Sequence, residues 1–153
     1  GEMLLGMNVD GTIMDCQYII EQYVKSMFKT VGLEFPQKHG LSFSDHRTQN
    51  LITNIPTDFT YSDHVPRAIF LTKFWGEFYE LSKYGAPEIN EDAGGILHNR
   101  DAKRAIEDAE FCLNLSQHLF DHMVEDTSHK DPRPNSDDLN FNIRMDPYSI
   151  GYE

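Results

Sequence analysis

The chain has 153 residues, of which 39% are hydrophobic, and its 13 basic and 25 acidic residues leave a formal net charge of −12. That length suits one domain that buries a sizeable core without the help of a disulfide or a metal. The negative charge repels nucleic-acid backbones and anionic membrane surfaces, so composition speaks against a nucleic-acid binder or membrane partner and for a cation or a protein.

The apolar residues of GEMLLGMNV form too short a run for a signal peptide, and no later stretch approaches a membrane span. The expectation is a soluble, cytoplasmic protein. Asp15 is the predicted N-cap of a first helix in which Ile19, Ile20, Tyr23, Val24, Met27, Phe28 and Val31 recur at helical spacing, with Gly32 as the stop. LEFPQKHG follows as a turn region, and Ser44 is placed to cap a short second helix carrying Leu51, Ile52 and Ile55 before Pro56 ends it.

Asp63 and the first-turn Pro66 predict a third helix to about Tyr84, with Phe70, Leu71, Phe74, Trp75, Phe78 and Leu81 on a wide apolar arc. After a loop containing Pro87 and Gly94-Gly95, Asp101 is the predicted cap of a long fourth helix. Its Ala102, Ala105, Ile106, Ala109, Leu113, Phe120 and Met123 share one face. Cys16 and Cys112 sit in apolar helical patterns without CxxC spacing, which predicts reduced, buried thiols.

From about residue 126 the chain turns polar and proline-containing. Leu139, Phe141, Ile143 and Met145 then alternate along LNFNIRM, and YSIGY repeats the alternation after Asp146-Pro147. The pattern predicts a mainly all-α bundle of about four helices over residues 1–125, followed over 126–153 by a linker and a short C-terminal β-arm or hairpin.

The candidate chemistry lies in two ExxE pairs. Glu77 and Glu80 flank the apolar arc of the third helix, and Glu107 and Glu110 repeat the spacing on the fourth. Four carboxylates on neighbouring helices repel one another unless a hard cation such as Mg²⁺ or Mn²⁺ neutralises them. The plain alternative is a pair of solvated acidic helix faces, and Glu107 favours it by projecting away from its helix's apolar face. GEFYEL at 76–81 and IEDAEFCLNL at 106–115, with VKSMFKTVGLEFP upstream, resemble the signature helices of MazG-like and phosphoribosyl-ATP-pyrophosphohydrolase-like nucleotide pyrophosphohydrolases. The similarity covers about Val24 to Phe120. Gly76 stands where many members have a first glutamate, and Glu110 where they have aspartate.

The resemblance implies metal-dependent hydrolysis of a nucleoside triphosphate to monophosphate and pyrophosphate. Glu77 and Glu80 would be catalytic, and Glu77, Glu80, Glu107 and Glu110 the metal ligands. Arg100, Lys103 and Arg104 would hold the nucleotide substrate, in a homodimer or homotetramer. A second reading is a non-catalytic acidic binding or inhibitor module. A third rests on MNVDGTIMD at 7–15, which resembles the nucleophile loop of haloacid-dehalogenase-type phosphatases but has Asn8 where the nucleophilic aspartate belongs. His118 and His122, four apart with Asp121 between them and His129 beyond, read as polar-face histidines near a helix C-terminus, with a zinc site as the rival reading.

Overall fold

Asn8, not Asp15, opens the first helix. The computed structural model describes residues 8–37 and 40–127, and within them the chain forms six α-helices and no strand. Helix α1 spans Val9–Thr30, and the Asn8 side chain accepts the Gly11 backbone N–H at 3.1 Å. This is an ordinary asparagine cap that satisfies one orphan donor of the first turn. The NVDG stretch is therefore a helix start and not a phosphatase loop. At the other end Gly32 stops α1 as the sequence predicts, at φ +80, and Leu33 donates its N–H to the Phe28 carbonyl.

Helix α2 covers His46–Asn54 and is capped by Asp45, which accepts the Arg47 N–H at 2.9 Å, one residue beyond the expected Ser44. It stops at Ile55, before Pro56.

The single third helix predicted from the apolar arc is two helices. A 3-10 turn at Ser62–His64 leads into α3, Val65–Gly76, with Pro66 in its first turn, and after a break at Glu77 helix α4 runs over Phe78–Tyr84. The break falls where another piece of backbone crosses. Leu41 donates its N–H to Thr72 Oγ1 at 3.0 Å, and a Cβ on Gly76 would stand 3.9 Å from the Gly40 Cα. Gly76, a poor helix former, thus sits beside the crossing loop, at a distance that leaves room for a Cβ.

Gly85, after α4, has φ 68 and ψ −154, and a Cβ there would lie 2.6 Å from the Glu91 carbonyl oxygen. That backbone region is essentially closed to other residues. We expect Gly85→Ala to lower stability by about 1–3 kcal/mol from backbone strain alone. Urea unfolding checks this, and an unchanged midpoint would refute it.

Helix α5 is a single turn at Ala93–Ile96, capped by Asp92, and α6 is the longest element, Asn99–Thr127. Asp101 lies inside the first turn of α6 instead of capping it. Its carboxylate reaches back to accept the His98 N–H at 2.8 Å, as a third helical residue does in a capping box.

Helices α1 and α6 pair along their lengths, and α3 and α4 pack across α1. Ile20, Val24 and Phe28 meet Ala105, Cys112, Leu115 and Leu119 in the core, with Leu51, Ile69 and Leu71 from the smaller helices. The expected α6 stripe is right at its three alanines but drifts toward the C-terminus. Leu113 is only half-buried and Phe120 is 55% exposed, while Cys112, Leu115 and Leu119 face inward. On α3, Phe70 and Phe74 likewise remain outside, stacked on each other with ring centroids 5.7 Å apart.

Both cysteines are free and buried, as expected. Burial first, then the charges of Asp15, Asp108 and Glu110, push the Cys16 thiol up to about 11, and burial raises Cys112 as well. Both stay neutral and unreactive at physiological pH. Among the described residues no helix is long and apolar enough to cross a membrane. The predicted β-arm and its alternating segments lie outside the described residues.

Candidate functional site

Tyr61 is the hub of a cluster of imidazoles at the end of the bundle where α3 begins and α6 nears its C-terminus. Pro56 ends α2, and the short segment that follows carries Asp58, Phe59 and Tyr61 across α6 before the 3-10 turn delivers His64. Phe59 and Tyr61 are buried and set edge-on, 5.9 Å between ring centroids. Against this aromatic floor stand three half-buried imidazoles. His118 meets Tyr61 edge-on at 5.4 Å, His64 lies 6.1 Å from Tyr61, and His122 lies 5.4 Å from Phe59.

His118 and His122 share one side of α6, one turn and about 6 Å apart along the axis. His122 Nε2 lies 3.2 Å from Asp58 Oδ1, so an exposed carboxylate orients that ring. His64 also packs edge-on against Phe111, at 5.8 Å. Arg67 follows His64 by three residues, on the same side of the chain's entry into α3, with its guanidinium 4.9 Å from the Phe70 ring centroid.

This set has the parts for proton transfer: imidazoles that serve as acid or base near neutral pH, a carboxylate that fixes one of them, and a nearby fixed cation. The expected polar-face role for His118 and His122 gives way to stacking on Phe59 and Tyr61. Sequence reasoning missed His64, Tyr61 and Asp58, since they stand far along the chain from their α6 partners Phe111, His118 and His122 and carry no local spacing signal.

The carboxylates expected to hold a metal are not gathered. Glu77 sits exposed at the break between α3 and α4, beside a small pocket lined by Gly40, Ser42 and Lys73. Glu80 and Glu110 are exposed and Glu107 is half-buried, and among the described residues no group of three or more His, Cys, Asp or Glu side chains is placed to share one ion. Glu77 keeps a helical conformation where α3 passes into α4 and Glu80 lies in the first turn of α4, so the 77–80 spacing survives, but both carboxylates face solvent. Arg100, Lys103 and Arg104 lie in the first turns of α6, about 21–27 Å along the helix from His118, and take no part in the imidazole cluster.

Two carboxylates are buried among the described residues, Glu21 within α1, where it pairs with Lys25 at 2.7 Å, and Asp108 on α6. Asp108 is 1% exposed and accepts the Trp75 indole N–H at 2.7 Å, tying α6 to α3.

A family model described as "HEPN domain" matches residues 4–119, more than half of the chain. Comparison with curated proteins and with solved structures finds no match. The family match overturns the resemblance to MazG-like pyrophosphohydrolases, and with it the nucleoside triphosphate reaction and the inhibitor and phosphatase alternatives. It agrees with the fold, in which the four glutamates are not gathered around one ion and Asn8 caps a helix.

Proposed function

Because the chain belongs to the HEPN domain family, whose members are often RNase-type enzymes, we propose that it cleaves RNA through the imidazole cluster around Tyr61. The carrying observation is the convergence of His64, His118 and His122 on one aromatic floor, with Asp58 orienting His122. RNA supplies its own nucleophile. His122 takes the 2′-hydroxyl proton through the nitrogen that Asp58 leaves free, and the 2′-oxygen forms a bond to the adjacent phosphorus. The bond from phosphorus to the 5′-oxygen breaks, and protonated His118 donates its proton to that leaving oxygen. The products are a 2′,3′-cyclic phosphate end and a 5′-hydroxyl end, with the two imidazoles exchanged in protonation state. Arg67 supplies positive charge to the phosphate oxygens as negative charge builds there, and His64 donates a ring N–H to them.

The net charge of −12, which predicts no nucleic-acid partner, repels RNA at long range. The proposal therefore carries its own salt test. A basic RNA binder with several phosphate contacts loses about a thousandfold in affinity between roughly 50 and 200 mM salt. For this chain the KM for RNA should stay level or fall over that range, because screening weakens the net repulsion.

The decisive assay incubates the full chain with single-stranded RNA in EDTA and analyses the ends formed; adding Mg²⁺ or Mn²⁺ back tests the expected cofactor in the same tube. Cyclic phosphate ends that disappear with His122→Asn support the reading. Absence of cleavage across varied RNAs, or cleavage indifferent to that substitution, overturns it. We also infer a cytoplasmic setting, consistent with two free thiols, and a homodimer rather than a homotetramer, since HEPN domains commonly dimerise; light scattering reads the mass.

A further inference from the structure

A groove of about 590 Å³ runs along the outside of α1 and α6, between Tyr18, Ile19 and Gln22 on one side and Leu113, Gln117 and Phe120 on the other. None of its lining residues carries a formal charge, on a chain in which 25% of residues do. Tyr18 is 62% exposed, and Val124, one turn beyond Phe120, extends the apolar row to the last turn of α6. An exposed apolar surface of this kind marks a contact site. A phosphate-bearing ligand finds no cation in it, and the imidazole cluster occupies a different side of α6, so the groove is no extension of that site.

The chain itself continues past α6 with a segment of matching chemistry. In residues 139–145, Leu139, Phe141, Ile143 and Met145 alternate with Asn140, Asn142 and Arg144, a sequence pattern that gives any extended segment one apolar edge, and the segment holds a single charge. Eleven residues, 128–138, lie between Thr127 and Leu139, a connection able to span about 40 Å. The far end of the groove at Leu113 lies only about 21 Å back along α6. A tethered occupant also competes at an effective concentration on the order of millimolar, against micromolar for a free partner.

We propose that residues 139–145 seat in the α1–α6 groove of their own chain, with Leu139, Phe141, Ile143 and Met145 covering Tyr18, Ile19 and Phe120. The segment then closes the apolar face of the two longest helices, and RNA cleavage does not depend on it.

The test is a disulfide trap in the full chain. Gln117→Cys with Ile143→Cys, oxidised at micromolar protein, should give a cross-link within one chain, seen as monomer mass on a denaturing, non-reducing gel and as a linked peptide by mass spectrometry. Adding Phe120→Asp, at an exposed position, should slow that cross-link at least tenfold. No cross-link, or no effect of Phe120→Asp, overturns the proposal. A cross-link between chains, or a dimer lost with Phe120→Asp but kept with Phe141→Asp, assigns the groove to a second copy and overturns it too.

Discussion

Replacing His118 with glutamine should lower the rate of RNA strand cleavage by about a hundredfold or more, the usual contribution of a positioned acid–base group. His118 is half-buried, edge-on to Tyr61 at 5.4 Å, and lies outside the apolar interface of α1 and α6. Its removal creates no large cavity, so stability should change by less than about 1 kcal/mol. Loss of rate with an intact fold separates a chemical role from a packing one.

Two further measurements sharpen the assignment. The wild-type pH–rate profile should be bell-shaped, because one imidazole must be neutral while the other is protonated. His118→Gln should remove the limb that belongs to the acid. Asp58→Asn, which weakens the orientation of His122 without removing an imidazole, should cost less than either histidine substitution. A His118→Gln protein that cleaves RNA within threefold of wild type would remove the acid role from this residue.

The largest expected effect on stability belongs to Asp108. Its carboxylate is 1% exposed and accepts the Trp75 Nε1–H at 2.7 Å across the α3–α6 interface, and Trp75 is equally buried. Asp108→Ala leaves an indole N–H inside the protein with no acceptor and opens a space beside it. An orphaned buried donor costs about 1–3 kcal/mol, and the lost hydrogen bond to a charged group is of similar size. Allowing for their overlap, the expected loss is about 2–4 kcal/mol, or roughly 5–15 °C in Tm for a domain of this length.

Asp108→Asn keeps an acceptor of the same shape and should lose less than half as much. Trp75→Phe, which removes the donor instead, should couple to Asp108→Ala, so that the double variant is less destabilised than the sum of the singles. Chemical unfolding of the four proteins completes the cycle. Strict additivity would mean that the bond holds nothing together.

The all-α class, the stops at Gly32 and before Pro56, the first-turn Pro66 and the two buried thiols are all legible in the linear pattern. Each rests on local chemistry. Helical spacing, a residue that tolerates positive φ, a missing N–H and an apolar setting act within a turn or two of chain, so neighbours in sequence suffice to state them. The cap at Asn8 was also legible, but Asp15 offers the same chemistry, and a cap residue alone does not say where its helix begins.

Everything that needed a second element was decided elsewhere. The third helix breaks at Glu77 where the Gly40–Leu41 backbone crosses it, and no periodicity in residues 63–84 contains that loop. Phe120 lies outside and Asp108 inside because the choice of buried face on α6 belongs to its partners. α1 takes Cys112, Leu115 and Leu119, and the Trp75 indole makes a buried carboxylate tolerable. The imidazole cluster is the extreme case, since His64 and His118 come to share the Tyr61 ring only when the segment after α2 is folded across α6. A site assembled from distant segments carries no spacing in the sequence, so only the tertiary structure brings its acids and bases within reach of one phosphodiester.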